Sequence, residues 1–147
     1  MSLTAEYETE IRIPQPQLQA AQGNIRGLPS MGIMRLAMEK VAKERGGQLA
    51  DDYQDCNGKR HPCIMALRAP GFPNGVGVDV ALDGRVLFRY DQQGESLAEA
   101  KTICDDLARA YATIAVLQAQ KKLGYQVHLR EEPAAQGRSV VISAIKT

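Results

Sequence analysis

The sequence predicts an α+β fold in which two helices pack against a mainly antiparallel sheet. Asn-Gly and Asp-Gly dipeptides separate alternating apolar segments, which is typical of β-hairpins. The two long amphipathic segments alternate with hairpins, whereas parallel α/β folds alternate helices with single strands. The predicted order of elements is therefore β-α-β-β-β-β-α-β-β, within one domain that spans residues 1–147.

The first strand and the first helix are predicted from two different hydrophobic periods. Residues 6–13 alternate between apolar and charged side chains, which is the period of a half-buried strand. Residues 30–45 carry apolar side chains at three- and four-residue steps, so we expect a helix with Ser30 as its N-cap. Its inward positions are Ile33, Leu36, Ala37 and Val41. Its methionines, Met31, Met34 and Met38, indicate either gap filling in the core or an adaptable binding surface.

Three hairpins are predicted from turn residues. Asn57-Gly58 and Asp83-Gly84 tolerate the positive φ angles of a type I′ turn, so each should join two strands directly. Pro70 and Pro73 cannot donate to a ladder, which predicts a loop over residues 70–75 between the two hairpins. A third hairpin ends the chain. The predicted strands are residues 48–56, 59–69, 75–82, 85–91, 125–131 and 139–146.

Residues 96–123 predict a second, longer helix. Ser96 and Glu99 form a capping-box pattern, and Gly124 stands where a left-handed residue ends many helices. The predicted buried face consists of Leu97, Ala100, Cys104, Leu107, Tyr111 and Ile114. Residues 110–117 are apolar almost all round, so this part of the helix should also contact a second surface. That surface is either another segment of this chain or a partner subunit.

Residues 14–29 interrupt the pattern of regular elements. The segment is rich in Gln, Gly and Pro and develops no long apolar face. Long irregular segments in compact domains are usually functional or mobile. We therefore expect a flexible arm, which either binds a partner or has no role of its own.

Composition excludes several function classes. A net charge of +1 gives no global field that attracts nucleic acid or membranes, and 5% aromatic residues without Trp do not favour base stacking. The three cysteines are an odd number without a secretory signal, as in reduced cytoplasmic proteins. No apolar segment approaches the roughly 20 residues of a membrane span. We therefore expect a cytoplasmic protein without a membrane segment.

A small basic cluster is the candidate binding site. Lys59, Arg60 and His61 follow the first hairpin turn, and Arg68 lies further along the same strand. These side chains suit phosphate or a nucleic-acid backbone, but they equally suit a solvated strand edge that resists aggregation. A structural zinc site needs four ligands in short paired spacings, which the nearby Cys56, His61 and Cys63 do not provide. We expect no metal and no cofactor.

From residue 75 onward the chain resembles the uncharacterised plastid and cyanobacterial family known as hypothetical chloroplast open reading frame thirty-five. The similar stretches are residues 78–84 (Val-Asp-Val-Ala-Leu-Asp-Gly), 108–112 (Ala-Arg-Ala-Tyr-Ala) and 122–127 (Lys-Leu-Gly-Tyr-Gln-Val). The family has no assigned catalytic residues. The resemblance implies a small accessory protein, sometimes encoded beside a ring-forming ATPase.

The sequence favours a non-enzymatic adaptor over an enzyme. It contains two histidines, no nucleophile-elbow motif and no convergent carboxylates that suggest acid–base chemistry. We expect a protein partner that binds at an exposed sheet edge or at the 14–29 arm. One alternative is a nucleic-acid or phosphate-binding module that uses the basic cluster. A second alternative is a small enzyme whose site assembles only in a homo-oligomer. The sequence is compatible with such an oligomer.

Overall fold

The predicted α+β fold is confirmed, with one additional helix. The computed structural model describes residues 4–91, 97–123, 125–134 and 137–146. Strand β1 spans Thr4–Arg12, helix α1 Gln15–Ala21 and helix α2 Pro29–Glu44. Strands β2 to β5 span Gln48–Gln54, Arg60–Ala69, Phe72–Val80 and Arg85–Asp91. Helix α3 spans Leu97–Lys122, and strands β6 and β7 span Tyr125–Ala134 and Gly137–Lys146.

The strands form two separate antiparallel sheets. The five-stranded sheet has the order β1-β5-β4-β3-β2, so β1 pairs with β5, which lies far from it in sequence. Strands β6 and β7 pair only with each other within the described residues. The edge strands of the larger sheet are therefore β1 and β2.

The main core lies between α2, α3 and one face of the five-stranded sheet. In the register, Leu67 pairs with Val76, and Val78 pairs with Phe88. Large core side chains with very low exposure come from both helices and from the sheet, among them Met31, Met34, Met38, Val41, Leu67, Phe72, Val76, Val78, Phe88, Ile103 and Leu107. Strand side chains alternate between faces, so neighbours of these residues point away from the helices. A second, smaller cluster lies on that outer face and contains Tyr53, Cys63 and Ala66.

Helix α2 differs from its prediction at its start and on its outer face. It begins at Pro29, whose fixed φ angle and missing N–H suit the first helical position, so Ser30 lies inside the helix and is not its cap. Leu36 was predicted to face the core, but 45% of its surface is exposed. Met31, Met34 and Met38 occupy the inward positions instead. All three methionines are buried in the core, as gap filling requires, and Met31 also lines a groove described below.

Both predicted turns exist, but neither is of type I′. In the first, the Gly58 N–H donates to the Asp55 carbonyl, and in the second the Gly84 N–H donates to the Ala81 carbonyl. Gly58 and Gly84 have φ angles of 79° and 92°, whereas the residue before each glycine does not have a positive φ. This is a type I turn followed by a glycine bulge, the usual form of a slightly longer hairpin loop.

Strand β4 begins earlier than predicted. Ala69 pairs with Phe72, so only two residues separate β3 from β4, and the predicted loop over 70–75 is wrong. Pro73 lies inside the strand near its start, where the register is irregular. Gly75 has a φ angle of 89°, which lets the strand bend at this irregularity.

Helix α3 is a single unbroken helix, as predicted. Ser96 and Gly124, its predicted ends, lie outside the described residues. Its carboxylate at Glu99 accepts a hydrogen bond from Arg45, at the end of α2. Leu97 is half exposed and not buried as predicted, whereas the face from Ala100 to Ala110 is fully buried. None of the described helices is long and apolar enough to cross a membrane.

The 14–29 segment, which was predicted to be irregular, contains helical structure. Helix α1 is followed by a 3-10 turn at Ile25–Gly27. Leu18, Ala21 and Ile25 pack against the main core. At the start of the segment, Gln15 Nε2 donates to the Leu82 carbonyl at 3.2 Å. The segment is therefore not irregular, while its predicted flexibility stays a prediction.

Candidate functional site

The basic cluster begins at the turn of the β2–β3 hairpin and continues along β3. Lys59 belongs to the turn, Arg60 and His61 begin β3, and Arg68 lies near the end of that strand. The guanidinium groups of Arg60 and Arg68 meet at a shared carboxylate, that of Asp52. Arg60 Nη1 lies 3.9 Å from it, and Arg68 Nη2 donates both to it and, at 3.3 Å, to the Asp52 carbonyl.

These ion pairs reduce the positive charge that the cluster offers to a ligand. Asp52 faces both arginines and His61 is bound to Asp55, whereas Lys59 forms no ion pair within the described residues. A phosphate would therefore have to displace carboxylates that are already in place. Because Arg68 is only 23% exposed in its side chain, its pair with Asp52 is better shielded than a surface salt bridge.

His61 contributes to the structure of the hairpin turn. Its Nε2 lies 3.0 Å from Asp55 Oδ2, and because a carboxylate only accepts hydrogen bonds, Nε2 carries the proton. The other oxygen of Asp55 accepts the N–H groups of Asn57 and Lys59 at 2.9 and 3.0 Å. The imidazole also stacks on Tyr53, with ring centroids 5.1 Å apart. These contacts fix the ring against the turn.

The three thiols are not activated for nucleophilic chemistry. Burial raises the pKa of Cys63 to about 11, and burial together with Asp105 raises the pKa of Cys104 as well. Cys56 is exposed, but desolvation and the neighbouring Asp91 also raise the pKa of its thiol. A thiol with a raised pKa stays protonated at neutral pH and is a poor nucleophile. Among the described residues, no three His, Cys, Asp or Glu side chains form a possible metal site.

One concave feature of the described residues is a groove between α2 and the edge strand β2, which we call the α2–β2 groove. Its volume is about 320 Å³. It is lined by Arg26, Met31, Gly32, Arg35, Leu49, Ala50, Asp51, Ile64 and Met65. The lining combines aliphatic and thioether side chains with three charged ones, Arg26, Arg35 and Asp51. This composition is typical of sites that bind an apolar group within a polar frame.

A bulge in β3 opens this groove. Ala50 pairs with Ala66, whereas Asp52 pairs with Pro62, so residues 63–65 of β3 oppose the single residue Asp51 of β2. The extra length interrupts the ladder at this point. Carbonyl oxygens of the bulge are bound from outside the sheet by Arg26, whose Nε and Nη2 donate to Ile64 and Cys63 at 3.0 and 3.2 Å. Arg26 thereby connects the 3-10 turn to the sheet.

Because residue 32 of α2 is glycine, no side chain extends from the helix into the groove at this position. A Cβ atom built at this position meets no heavy atom within 4 Å. Glycine inside a helix costs about 1 kcal/mol relative to alanine, so this position gives up helix stability while leaving space beside β2. The backbone edge of β2 that faces away from β3 has no strand partner within the described residues.

A second, more open groove follows the 14–29 segment. Its volume is about 440 Å³. Its lining consists of Gln17, Ala20, Ala21, Asn24, Gly27, Leu28 and Pro29. No charged side chain belongs to this lining, and it does not adjoin a strand edge. It therefore offers fewer specific contacts to a partner than the α2–β2 groove.

Sequence reasoning reached the α2–β2 groove only through Met31, one of the three methionines, and through Arg26, as part of the 14–29 segment, and it identified no other lining residue as a site. One signal was present, because an isolated glycine inside a predicted helix often has a packing or functional reason. Arg26 gave no such signal, since its role depends on the carbonyls of a bulge that the pattern does not reveal.

Comparisons with known proteins add no relative. No family model, curated protein or solved structure matches this chain. The resemblance to the plastid family therefore stays a prediction.

Proposed function

We propose that this protein is a non-enzymatic adaptor that binds an extended segment of a partner protein along the edge of β2. The observation that carries the proposal is the coincidence of an edge strand with the α2–β2 groove. Leu49 and Asp51 of the edge strand also line the groove, together with Gly32 of the helix. A segment that adds to β2 as a further strand would lay its alternate side chains toward the groove.

The energetics suit a weak and reversible interaction. Each main-chain hydrogen bond to the edge contributes about 0.5–1.5 kcal/mol, and burial of one Leu or Met side chain in the groove contributes about 1.5–3 kcal/mol. Ordering the partner segment opposes these terms. Binding constants in the micromolar range, about −8 kcal/mol, are the expected result. The family resemblance makes a ring-forming ATPase the first full-length partner to test.

The two alternatives from the sequence have less support. Nucleic-acid or phosphate binding at Lys59, Arg60, His61 and Arg68 competes with the carboxylates of Asp52 and Asp55. An enzyme that assembles in an oligomer needs an activated group, and the three cysteine thiols all have raised pKa values.

Gly32→Trp tests the proposal because it fills the groove from its helical wall. A random ten-residue peptide library is selected against the unmodified protein, and enriched peptides are titrated by fluorescence anisotropy and by amide chemical-shift mapping. Peptides should carry an apolar anchor and shift the amides of β2 and α2. Gly32→Trp should weaken binding at least tenfold.

Gly32→Ala is the matched control. Its methyl group enters open space, so it should bind the selected peptides with unchanged affinity while stabilising α2. If both variants bind equally well, or the peptides shift amides away from β2, the proposal is wrong. Failure to enrich any peptide, with the protein shown to be folded, would also reject it.

A further inference from the structure

The outer edge of β7 differs from the other sheet edges in this chain. Edge strand β1 carries the exposed residues Glu6, Glu8 and Glu10, and its register with β5 is irregular after Glu8. Edge strand β2 carries Asp51 and Asp52 at the bulge. Charged side chains and bulges are the usual means of preventing strand addition. Strand β1 is therefore protected along most of its length, whereas the charges of β2 are limited to Asp51 and Asp52 and restrict, without preventing, the addition of the partner segment proposed above.

The two-stranded sheet has one protected and one unprotected strand. Strand β6 contains Arg130, Glu131, Glu132 and Pro133 in succession. Strand β7 contains no charged residue and no proline between Arg138 and Lys146, a stretch of Ser, Val, Ile and Ala. Within the described residues β7 pairs with β6 alone, over ten residue pairs. A strand of this length and composition is a ready template for a further strand.

The small size of the β6–β7 sheet also limits its stability. An isolated two-stranded antiparallel sheet is at best marginally stable in water, and three or more strands are usually required. Strands β6 and β7 do not join the five-stranded sheet within the described residues. Addition of a strand to β7 would supply the missing partner.

We propose that a second copy of this chain pairs with β7 through its own β7, which creates a four-stranded sheet across a two-fold axis. The sequence of β7 is compatible with antiparallel self-pairing centred on Val141. In that register Val140 lies opposite Ile142 of the second copy, and Ser139 lies opposite Ser143. Paired β-branched residues and paired serines are both favourable in antiparallel sheets.

Charge selects this register over its neighbour. Centring the pair on Ile142 would place Arg138 directly opposite Lys146 of the second copy, and like charges in that position are destabilising. Centring it on Val141 places Arg138 opposite Ala144 and leaves Lys146 beyond the overlap. A strand that pairs favourably with itself around one residue points to a second copy as the occupant of the edge, because a two-fold interface uses the same surface twice.

A charge-swap pair of double variants tests the interface. Ser139→Lys with Ser143→Lys places lysines opposite each other at both ends of the interface. Ser139→Lys with Ser143→Glu changes the same two positions but places each lysine opposite a glutamate. Sedimentation velocity should give a dimer for the unmodified protein, a monomer for the double-lysine variant and a dimer for the Lys/Glu variant.

Cross-linking tests the register independently. Val141→Cys, in a Cys56→Ser background that removes the exposed thiol, should form an intermolecular disulfide under mild oxidation because residue 141 faces itself across the axis. Ile145→Cys in the same background should not, since it lies far from its own symmetry mate. The proposal would be overturned if the unmodified protein were monomeric at about 100 µM, which is far above a dissociation constant of about 1 µM. Identical behaviour of the two double variants would also overturn it. Gly32→Trp should leave the dimer unchanged, which separates this test from that of the α2–β2 groove.

Discussion

At the scale of single residues, Gly77 shows how a missing side chain shapes the outer face of the sheet. It lies opposite Ala66 on β3, beside the small cluster of Tyr53 and Cys63. A Cβ atom at Gly77 would lie 2.7 Å from Tyr53 Cδ1 and 2.9 Å from Cys63 Sγ. The phenol ring and the thiol therefore pack directly over the backbone of β4.

Gly77→Ala should destabilise the protein by about 1–3 kcal/mol, because overpacking forces the Tyr53 ring and the Cys63 thiol to move. Urea unfolding followed by far-ultraviolet circular dichroism measures the change. Gly32→Ala is the control, because the same added methyl enters open space there and should be neutral or stabilising. Equal stability of the two variants would contradict the packing of the outer cluster.

At the scale of elements, one arginine connects the two long helices. Arg45, just after α2, donates to Glu99 and, at 2.7 Å, to Asp106 of α3. Its side chain is 20% exposed, and Asp106 also accepts from Arg109 at 3.2 Å. The contacts hold the C-terminal end of α2 against the N-terminal half of α3.

Arg45→Leu should cost about 2 kcal/mol, less than the 3–5 kcal/mol typical of fully buried pairs, because water still reaches the group. A double-mutant cycle with Asp106→Asn should give a coupling energy of about 1 kcal/mol. The matched control is Arg35→Leu, whose exposed pair with Glu39 spans 3.2 Å and should contribute less than about 0.5 kcal/mol. A coupling energy near zero at Arg45 would show that packing alone holds the helices together.

Helix α3 has two halves with different surroundings. Its buried residues are Ala100, Ile103, Cys104, Leu107 and Ala110. From Tyr111 onward no residue of the helix is fully buried, although Tyr111 and Ile114 still pack at the border of the core, and Val116 is 40% exposed. The second apolar surface expected for residues 110–117 is therefore only partly covered by the described part of the chain.

At the scale of the whole molecule, three raised pKa values connect stability to alkaline pH. Burial raises the pKa of Cys63 to about 11, and burial also raises the pKa of Tyr7 and Cys104. Tyr7 additionally donates to Asp105 and so connects β1 to α3. In each case the unfolded chain loses its proton at a lower pH than the folded chain. The stability from these groups is therefore complete below about pH 9 and is lost as pH rises above it.

The free energy of unfolding should accordingly fall between pH 9 and pH 10.5. Cys63 alone contributes up to about 2 kcal/mol of this loss, at about 1.4 kcal/mol per pKa unit. Urea titrations at half-unit pH steps measure it, and Cys63→Ala should show a shallower decline than the unmodified protein. A flat profile over this range, or the same slope in both proteins, would contradict the burial of these groups.

The sequence alone determined most elements of this protein, because their signals are local, although it missed helix α1 and the early start of β4 at Phe72. Turn residues at Gly58 and Gly84 located two hairpins, and a helical period located α3 from Leu97 to Lys122. The same helical period predicted the wrong orientation for Leu36, because a small rotation of the helix decides which residue at the border of its apolar face points to the sheet. The basic cluster stays a prediction as a binding site, and its ion pairs with Asp52 and Asp55 depend on side chains from a neighbouring strand and turn that its own pattern does not reveal.

Only the tertiary structure decided how the elements combine. The pairing of β1 with β5, the separation of β6 and β7 and the bulge opposite Asp51 all depend on contacts between residues that are distant in sequence. The α2–β2 groove follows from that bulge, from Arg26 and from the empty space beside Gly32. Local periodicity carries no information on such contacts, because the register between strands is set by packing over the whole core.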